Sequence, residues 1–412
     1  MSSKENEKTF ESFAGLLSEG HLRELEEIGH NFIVDKREGN YIFDENGKRY
    51  IDCDNNEGCF VLGRHNQELA EELRVAMHET EQGNFPMISV EKANLAKALA
   101  DFAPGNLECS VFSVVRGETI EFACKLARGY CGRAKLLSIG GSWHGETGFA
   151  VSLSDRANKD VFAPLVPDCQ SIAFGNIDEA REQIDKDTAA VIIEPLQVHF
   201  NCRQQSSEYL YEIKRLCKKN KTLLIFDETN TAFGSSGYRF LCDYYNIVPD
   251  MLVTGEALGA GIFPIAATII TQEVNQFLNQ HPMIHLSTFG GSDLGCRVAL
   301  KTLEIYQRDK PWRETKRLGF KLMEGLETII AKQDKPVIFA ADGMGFLVSL
   351  DLGTREKAKS FCKRLAENGL LAKPANILKR CVILRPAVIS GEEMIDEILK
   401  IVENTCNETH TL

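Results

Sequence analysis

The chain has no lysine between Lys221 and Lys301. That gap removes, from a long central stretch, the side chain that condenses with an aldehyde or ketone to give an imine. No apolar run approaches the ~20 residues that cross a bilayer, so a membrane-spanning helix is not expected. The first residues, Met1-Ser-Ser-Lys-Glu-Asn-Glu-Lys8, are polar and carry no apolar core of the kind that directs secretion. The 13 cysteines include no Cys-x-x-Cys pair and no Cys/His cluster at zinc spacing. Such a pattern excludes a zinc knot and fits small buried thiols in a reducing, cytoplasmic compartment. Basic charge is also short: the formal net charge is -12, which argues against a nucleic-acid-binding surface. What is present is an ordinary soluble composition, with 412 residues of which 43% are hydrophobic. That is enough chain for two or three domains around large cores.

Taken in order, residues 1 to about 30 carry the apolar spacing of an amphipathic helix. Asp44 to Gly47 is a turn signal between two alternating segments, and predicts a β-hairpin ending at Asp52. Helices are expected over Gln67–Glu79 and Val90–Phe102. A strand over Cys109–Val115 leads through Arg116-Gly-Glu-Thr119 into a helix reaching about Tyr130. The strand Lys135–Ile139 ends at Gly140-Gly-Ser-Trp-His-Gly-Glu-Thr147. Ala189-Ala-Val-Ile-Ile-Glu-Pro195 is β-branched and ends in a carboxylate. The helix Ser207–Asn220 precedes the apolar run Leu223-Leu-Ile-Phe-Asp-Glu-Thr229. A further apolar run opens at Pro249-Asp250 and closes at Thr254-Gly-Glu-Ala-Leu-Gly-Ala-Gly261. Alternation of buried strands and helices predicts an α/β fold on a mostly parallel central sheet flanked by helices. After Leu300 the pattern changes to a small α+β unit. Its expected elements are a helix Val298–Arg308 leading in, a helix Glu314–Lys332, strands near Val337 and Gly345–Leu350, a helix Glu356–Asn368 and a strand Cys381–Leu384. A last helix follows Ser390, whose Ser-Gly-Glu-Glu pattern reads as a capping box. The expected division is an N-terminal segment 1–60, a large domain 61–300 and a C-terminal domain 301–412.

In parallel sheets ligands bind at the carboxyl ends of the strands. Arg116-Gly117, Trp143-His144, Glu194, Asp227-Glu228 and Glu256 all fall at such ends, which predicts one composite site. A buried aspartate such as Asp227 can keep a pyridine nitrogen protonated, or can simply cap a helix. Trp143 offers a stacking face or core packing. Ser287-Thr-Phe-Gly-Gly291 sets two hydroxyls before two glycines, a pattern suited to a phosphate.

These motifs, in this order, resemble the class III (ornithine and glutamate-1-semialdehyde type) aminotransferases. The resemblance runs from about Asn31 to the C-terminal helix and implies the fold type I architecture of pyridoxal-phosphate enzymes, as a homodimer with sites at the subunit interface. It implies that Asp227 faces the cofactor's ring nitrogen and that Trp143 stacks on the ring. It places Thr229 under the ring, and Ser287 and Thr288 at the phosphate of the partner subunit's site. It sets Glu194 on the substrate side and Arg385, in Ile383-Leu-Arg-Pro386, near a substrate carboxylate; a structural salt bridge is the competing role for Arg385. An amino or oxo compound is the implied substrate.

Three positions depart from the family's pattern. The phosphate cup, Asn-Ser-Gly-Ser/Thr-Glu-Ala in the family, is Val114-Val-Arg-Gly-Glu-Thr119 here, so the Ser-Gly-Ser/Thr run becomes Val115, Arg116 and Gly117. Arg116 could grip a phosphate bidentately or fill the cup. A valine of the family becomes Thr229. The lysine that carries the cofactor becomes Glu256, and a carboxylate forms no imine. Three functions follow as expectations. One is an enzyme that binds pyridoxal or pyridoxamine phosphate without a lysine, with Glu256 or His144 moving protons. Another is a cofactor-free site in which Glu194, Asp227, Glu228 and Glu256 face an anionic ligand beside Arg116. The last is a non-catalytic protein that binds a ligand or pairs with an intact paralogue.

Overall fold

The computed structural model describes residues 3–83 and 87–410; residues 1 and 2 of the expected first helix lie outside them. Its centre is a seven-stranded sheet. In spatial order the strands are Leu107–Ser113, Ala266–Thr271, Met251–Val253, Leu223–Asp227, Thr188–Ile193, Lys135–Ile139 and Cys169–Ile172. Ala266–Thr271 runs antiparallel to both its neighbours, and the other strands run parallel. The central strands are buried along their whole length, as a sheet covered on both faces requires. Their Val, Ile and Leu side chains split between two apolar cores, one on each face.

The helix Arg116–Cys131 covers one face with Ile120, Phe122, Ala123, Leu126 and Ala127, and stops at Gly132 in the left-handed conformation. Asp293–Asp309 and Val90–Phe102 lie against the other core. A second, four-stranded sheet, Ala340–Met344, Leu347–Asp351, Cys381–Leu384 and Lys373–Pro374, packs with the helices Trp312–Ala331, Arg355–Glu367 and Glu392–His410 around a third core. The expected hairpin, Tyr41–Asp44 with Arg49–Asp52, gains Leu370–Leu371 as a parallel neighbour and so joins the chain's two ends.

Several expectations need correction. The stretch at Val337 is irregular, and the strand starts at Ala340. The long helix starts at Asp293, because Ser292 Oγ accepts from Gly295 N. Ser390 closes no capping box: its hydroxyl is buried without a hydrogen-bond partner among the described residues. All 13 cysteines are free, nine buried and four half-buried. Among the described residues no helix is long and apolar enough to cross a membrane.

Candidate active site

The parallel strands deliver their carboxyl ends to one edge, and the residues just beyond them meet there. Asp227 closes its strand, and its carboxylate is buried. One oxygen, Oδ2, lies 2.7 Å from His144 Nδ1. The other accepts from Thr229 N at 3.0 Å and from Thr229 Oγ1 at 2.7 Å. Burial alone raises the Asp227 pKa; the His144 hydrogen bond and charge, with Arg116 and Thr229, outweigh it and hold the carboxyl below its ordinary range. His144 is wholly buried, and its backbone N–H donates to Ser154 Oγ at 2.8 Å. The side chains of both His144 and Asp227 are shielded from solvent.

Arg116 begins its helix, and its guanidinium turns back over the site. The guanidinium carbon lies 4.4 Å from the centre of the Trp143 ring, within cation–π range. Its Nη2 donates to Thr229 Oγ1. Its Nη1 is 3.9 Å from Glu57, and Nε is buried without a partner among the described residues. The guanidinium therefore sits between Trp143 and Thr229, linked through Thr229 to Asp227. Gly117 lets this helix start approach the neighbouring loop, since a Cβ there would meet Thr147 Cγ2 at 2.8 Å.

Glu256 opens the short turn Glu256–Gly259. Its Oε1 accepts from Arg116 N at 2.8 Å. The carboxylate thus lies on the N-terminus of the helix Arg116–Cys131, where free N–H groups and the helix dipole favour an anion. Gly255 permits the approach, because a Cβ there would come within 2.9 Å of Thr229 O. Glu194 Oε2 accepts from Trp143 N at 2.7 Å, and Oε1 has no partner among the described residues. Burial, then the charge of Asp227, pushes the Glu194 pKa up.

Glu228 belongs elsewhere, which corrects its place in an acidic pocket. Its carboxylate accepts from Leu241 N at 2.6 Å, Cys242 N at 2.9 Å and Thr231 Oγ1 at 3.0 Å, and so holds the start of the helix Leu241–Tyr245. Burial raises its pKa to about 7, against the hydrogen bonds that lower it. Between its ordinary 4.5 and about 7 the folded state keeps a proton that the unfolded state has lost. Stability from this group therefore falls as pH rises through that window. Glu228→Gln is expected to flatten the decline, by up to about 1.4 kcal/mol per pH unit, in urea midpoints measured at pH 5 and pH 7.

Arg385 is buried, and no carboxylate pairs with it among the described residues; the salt bridge considered for it does not form. Its Nη1 lies 3.4 Å from Asn230 Oδ1, and its Nε has no partner among the described residues. Burial depresses its pKa. Ser287 and Thr288 lie on a loop that packs on Phe112, with Ser287 Oγ accepting from Gly290 N at 2.9 Å. Ser287 is half-buried and Thr288 exposed.

Two participants escaped the sequence reading. His199 meets the Trp143 ring edge-on at 4.5 Å. Glu57 follows Asn55 and Asn56 in a run of left-handed residues, with φ of 49, 50 and 56°. Non-glycine residues rarely adopt that conformation, and it clusters at functional sites. The two adjacent asparagines were the available signal.

The aminotransferase class-III sequence profile matches residues 25–406. An uncharacterized aminotransferase of Archaeoglobus fulgidus is 32% identical over 390 residues, covering 94% of this chain and 91% of that protein. A putrescine aminotransferase of Pectobacterium atrosepticum is 32% identical over 377 residues, covering 88% of this chain and 79% of its own. The ornithine aminotransferase of Toxoplasma gondii ME49 superposes with a TM-score of 0.89 at 22% identity, covering 98% of this chain and 96% of that one. The fold is accordingly the α/β fold of the type I pyridoxal-phosphate aminotransferases, and the chain belongs to the class III aminotransferase family.

Proposed function

We propose that this protein holds no lysine-bound cofactor and instead binds a small amino or oxo acid in a site closed by its own side chains. The observation that carries this reading is the guanidinium of Arg116 on the face of Trp143, bonded to Thr229. In the family, by resemblance, that slot belongs to the pyridine ring. A planar cation stacked on an indole and linked to a buried aspartate reproduces the ring's charge and shape. Glu256 takes the phosphate's place in the same way, on the helix N-terminus. Ring slot and phosphate cup are both filled, so the residues present do not fit pyridoxal phosphate in this arrangement. Arg385, buried and without an ion-paired carboxylate among the described residues, suits the ligand's carboxylate.

A second reading keeps free pyridoxamine or pyridoxal phosphate as a non-covalent ligand, admitted when Arg116 swings out. The Asp227–His144 pair at 2.7 Å favours it, because that pair is what a pyridinium nitrogen would need.

Adding pyridoxal phosphate, reducing with borohydride and mapping the peptides tests the first reading. No stoichiometric pyridoxyl-lysine is expected; one lysine labelled to completion would overturn it. The division into 1–60, 61–300 and 301–412 and a cytoplasmic homodimer belong to the same proposal. Met283, Ile284, Leu286 and Phe289, exposed around Ser287 and Thr288, support the pairing. An intact paralogue is the alternative partner.

A further inference from the structure

A cavity of about 310 Å³ opens beside Trp143, a volume that suits a small molecule. Its walls are the helix Glu19–Glu27, the segment from Glu146 to Arg156, the helix Arg355–Glu367 and the loop between Lys373–Pro374 and Cys381–Leu384. Arg156, Arg355, Lys359, Lys373 and Lys379 line it, against two carboxylates, Glu24 and Glu146. On a chain of net charge -12, a cavity so rich in cations is a local reversal of sign.

Four of the five cations have carboxylate partners: Arg156 with Glu146, Arg355 with Glu24 at 3.2 Å, Lys359 with Glu24 at 2.6 Å and with Glu27, and Lys373 with Asp54 at 2.8 Å. Glu24 is shared between two of them. Lys379 has no carboxylate within ion-pair distance among the described residues. Burial lowers its pKa, and so do the charges of Arg355, Arg156 and Lys359, with Glu24 opposing them. The cluster is short of negative charge at Lys379.

The loop that carries Lys379 is tied to the candidate active site. Leu378 N donates to His199 O at 2.9 Å, and Asn376 N donates to His199 Nδ1 at 3.2 Å. The His199 ring in turn abuts Trp143.

We propose that this cavity binds a small dianion, a dicarboxylate or a phosphate, anchored by Lys379 and Arg355. The site needs nothing from the slot between Trp143 and Thr229, so it stands or falls independently of the function proposed above.

Calorimetry on the full chain at low ionic strength, with succinate and inorganic phosphate as probes, tests it. Saturable binding of at least one probe is expected, and the tighter of the two identifies the anion class. Lys379→Met should weaken that binding about tenfold or more, and Lys379→Glu should abolish it, while Lys379→Arg retains it. Lys379 is exposed, and matching urea midpoints for the variants confirm that each is folded. No saturable heat from either probe, or the parent's affinity retained in Lys379→Met and Lys379→Glu, overturns the assignment.

Discussion

With pyridoxal phosphate added, Glu256→Lys alone is expected to stay colourless, whereas Arg116→Ser combined with Glu256→Lys is expected to develop the visible absorbance of a lysine imine. A lysine at 256 supplies the amine, but it leaves the guanidinium of Arg116 on Trp143. It also removes the acceptor that Arg116 N now uses at 2.8 Å and sets a cation at a helix N-terminus, where the dipole disfavours it. Replacing Arg116 by serine clears the stacking face and adds a small hydroxyl at the helix start. Absorbance spectra of the two variants and the parent, at equal protein concentration, make the comparison. A full imine band from Glu256→Lys alone would mean that Arg116 does not guard the slot.

Asp227→Ala is expected to destabilise the fold by about 1–3 kcal/mol for each buried hydrogen-bonding group it leaves without a partner. Both side chains of the Asp227–His144 pair are shielded from solvent. Without the carboxylate, His144 and the Thr229 hydroxyl lose their partner in a place water does not reach. The pH dependence has a definite sign. The folded pKa of Asp227 is depressed, so its stabilisation is complete above the ordinary value of 3.8 and is lost as pH falls through the folded value. Urea midpoints of parent and variant at neutral pH read the first effect. The same pair at decreasing acid pH reads the second, with the gap between them closing.

Strands built from unbroken Val, Ile and Leu were legible in the sequence because burial on both faces leaves no polar alternation to confuse the pattern. Cys381–Leu384 was found to the residue for that reason, and Lys135–Ile139 was found to the residue although Ser138 interrupts its apolar run. Helices with amphipathic spacing, such as Gln67–Glu79 and Ser207–Asn220, were found equally well. Ala266–Thr271 was missed although it is wholly buried; its alanines and threonines carry little apolar signal. Val34–Glu38 was missed because it is an almost fully exposed charged edge, held only by pairing with Tyr41–Asp44. At the site, residue identity placed Asp227, Trp143, Arg116 and Glu256 at one sheet edge, since strand ends are a topological property. The direction of each side chain was not legible. Glu228 follows Asp227 in sequence yet turns to the helix Leu241–Tyr245, and Arg116 turns inward onto Trp143. Whether an arginine at a helix start grips a phosphate or fills its place depends on packing from four separate segments.

Calorimetric titration of the unmodified protein with pyridoxamine phosphate tests most directly whether Arg116 and Glu256 replace the cofactor. Pyridoxamine phosphate needs no lysine, so only the ring slot and the phosphate cup decide its binding. The expected result is no saturable heat for the parent protein and saturable binding once Arg116→Ser and Glu256→Ala together clear the slot and the cup. Tight stoichiometric binding to the parent would contradict it and establish the second reading, with Asp227 and His144 holding the ring.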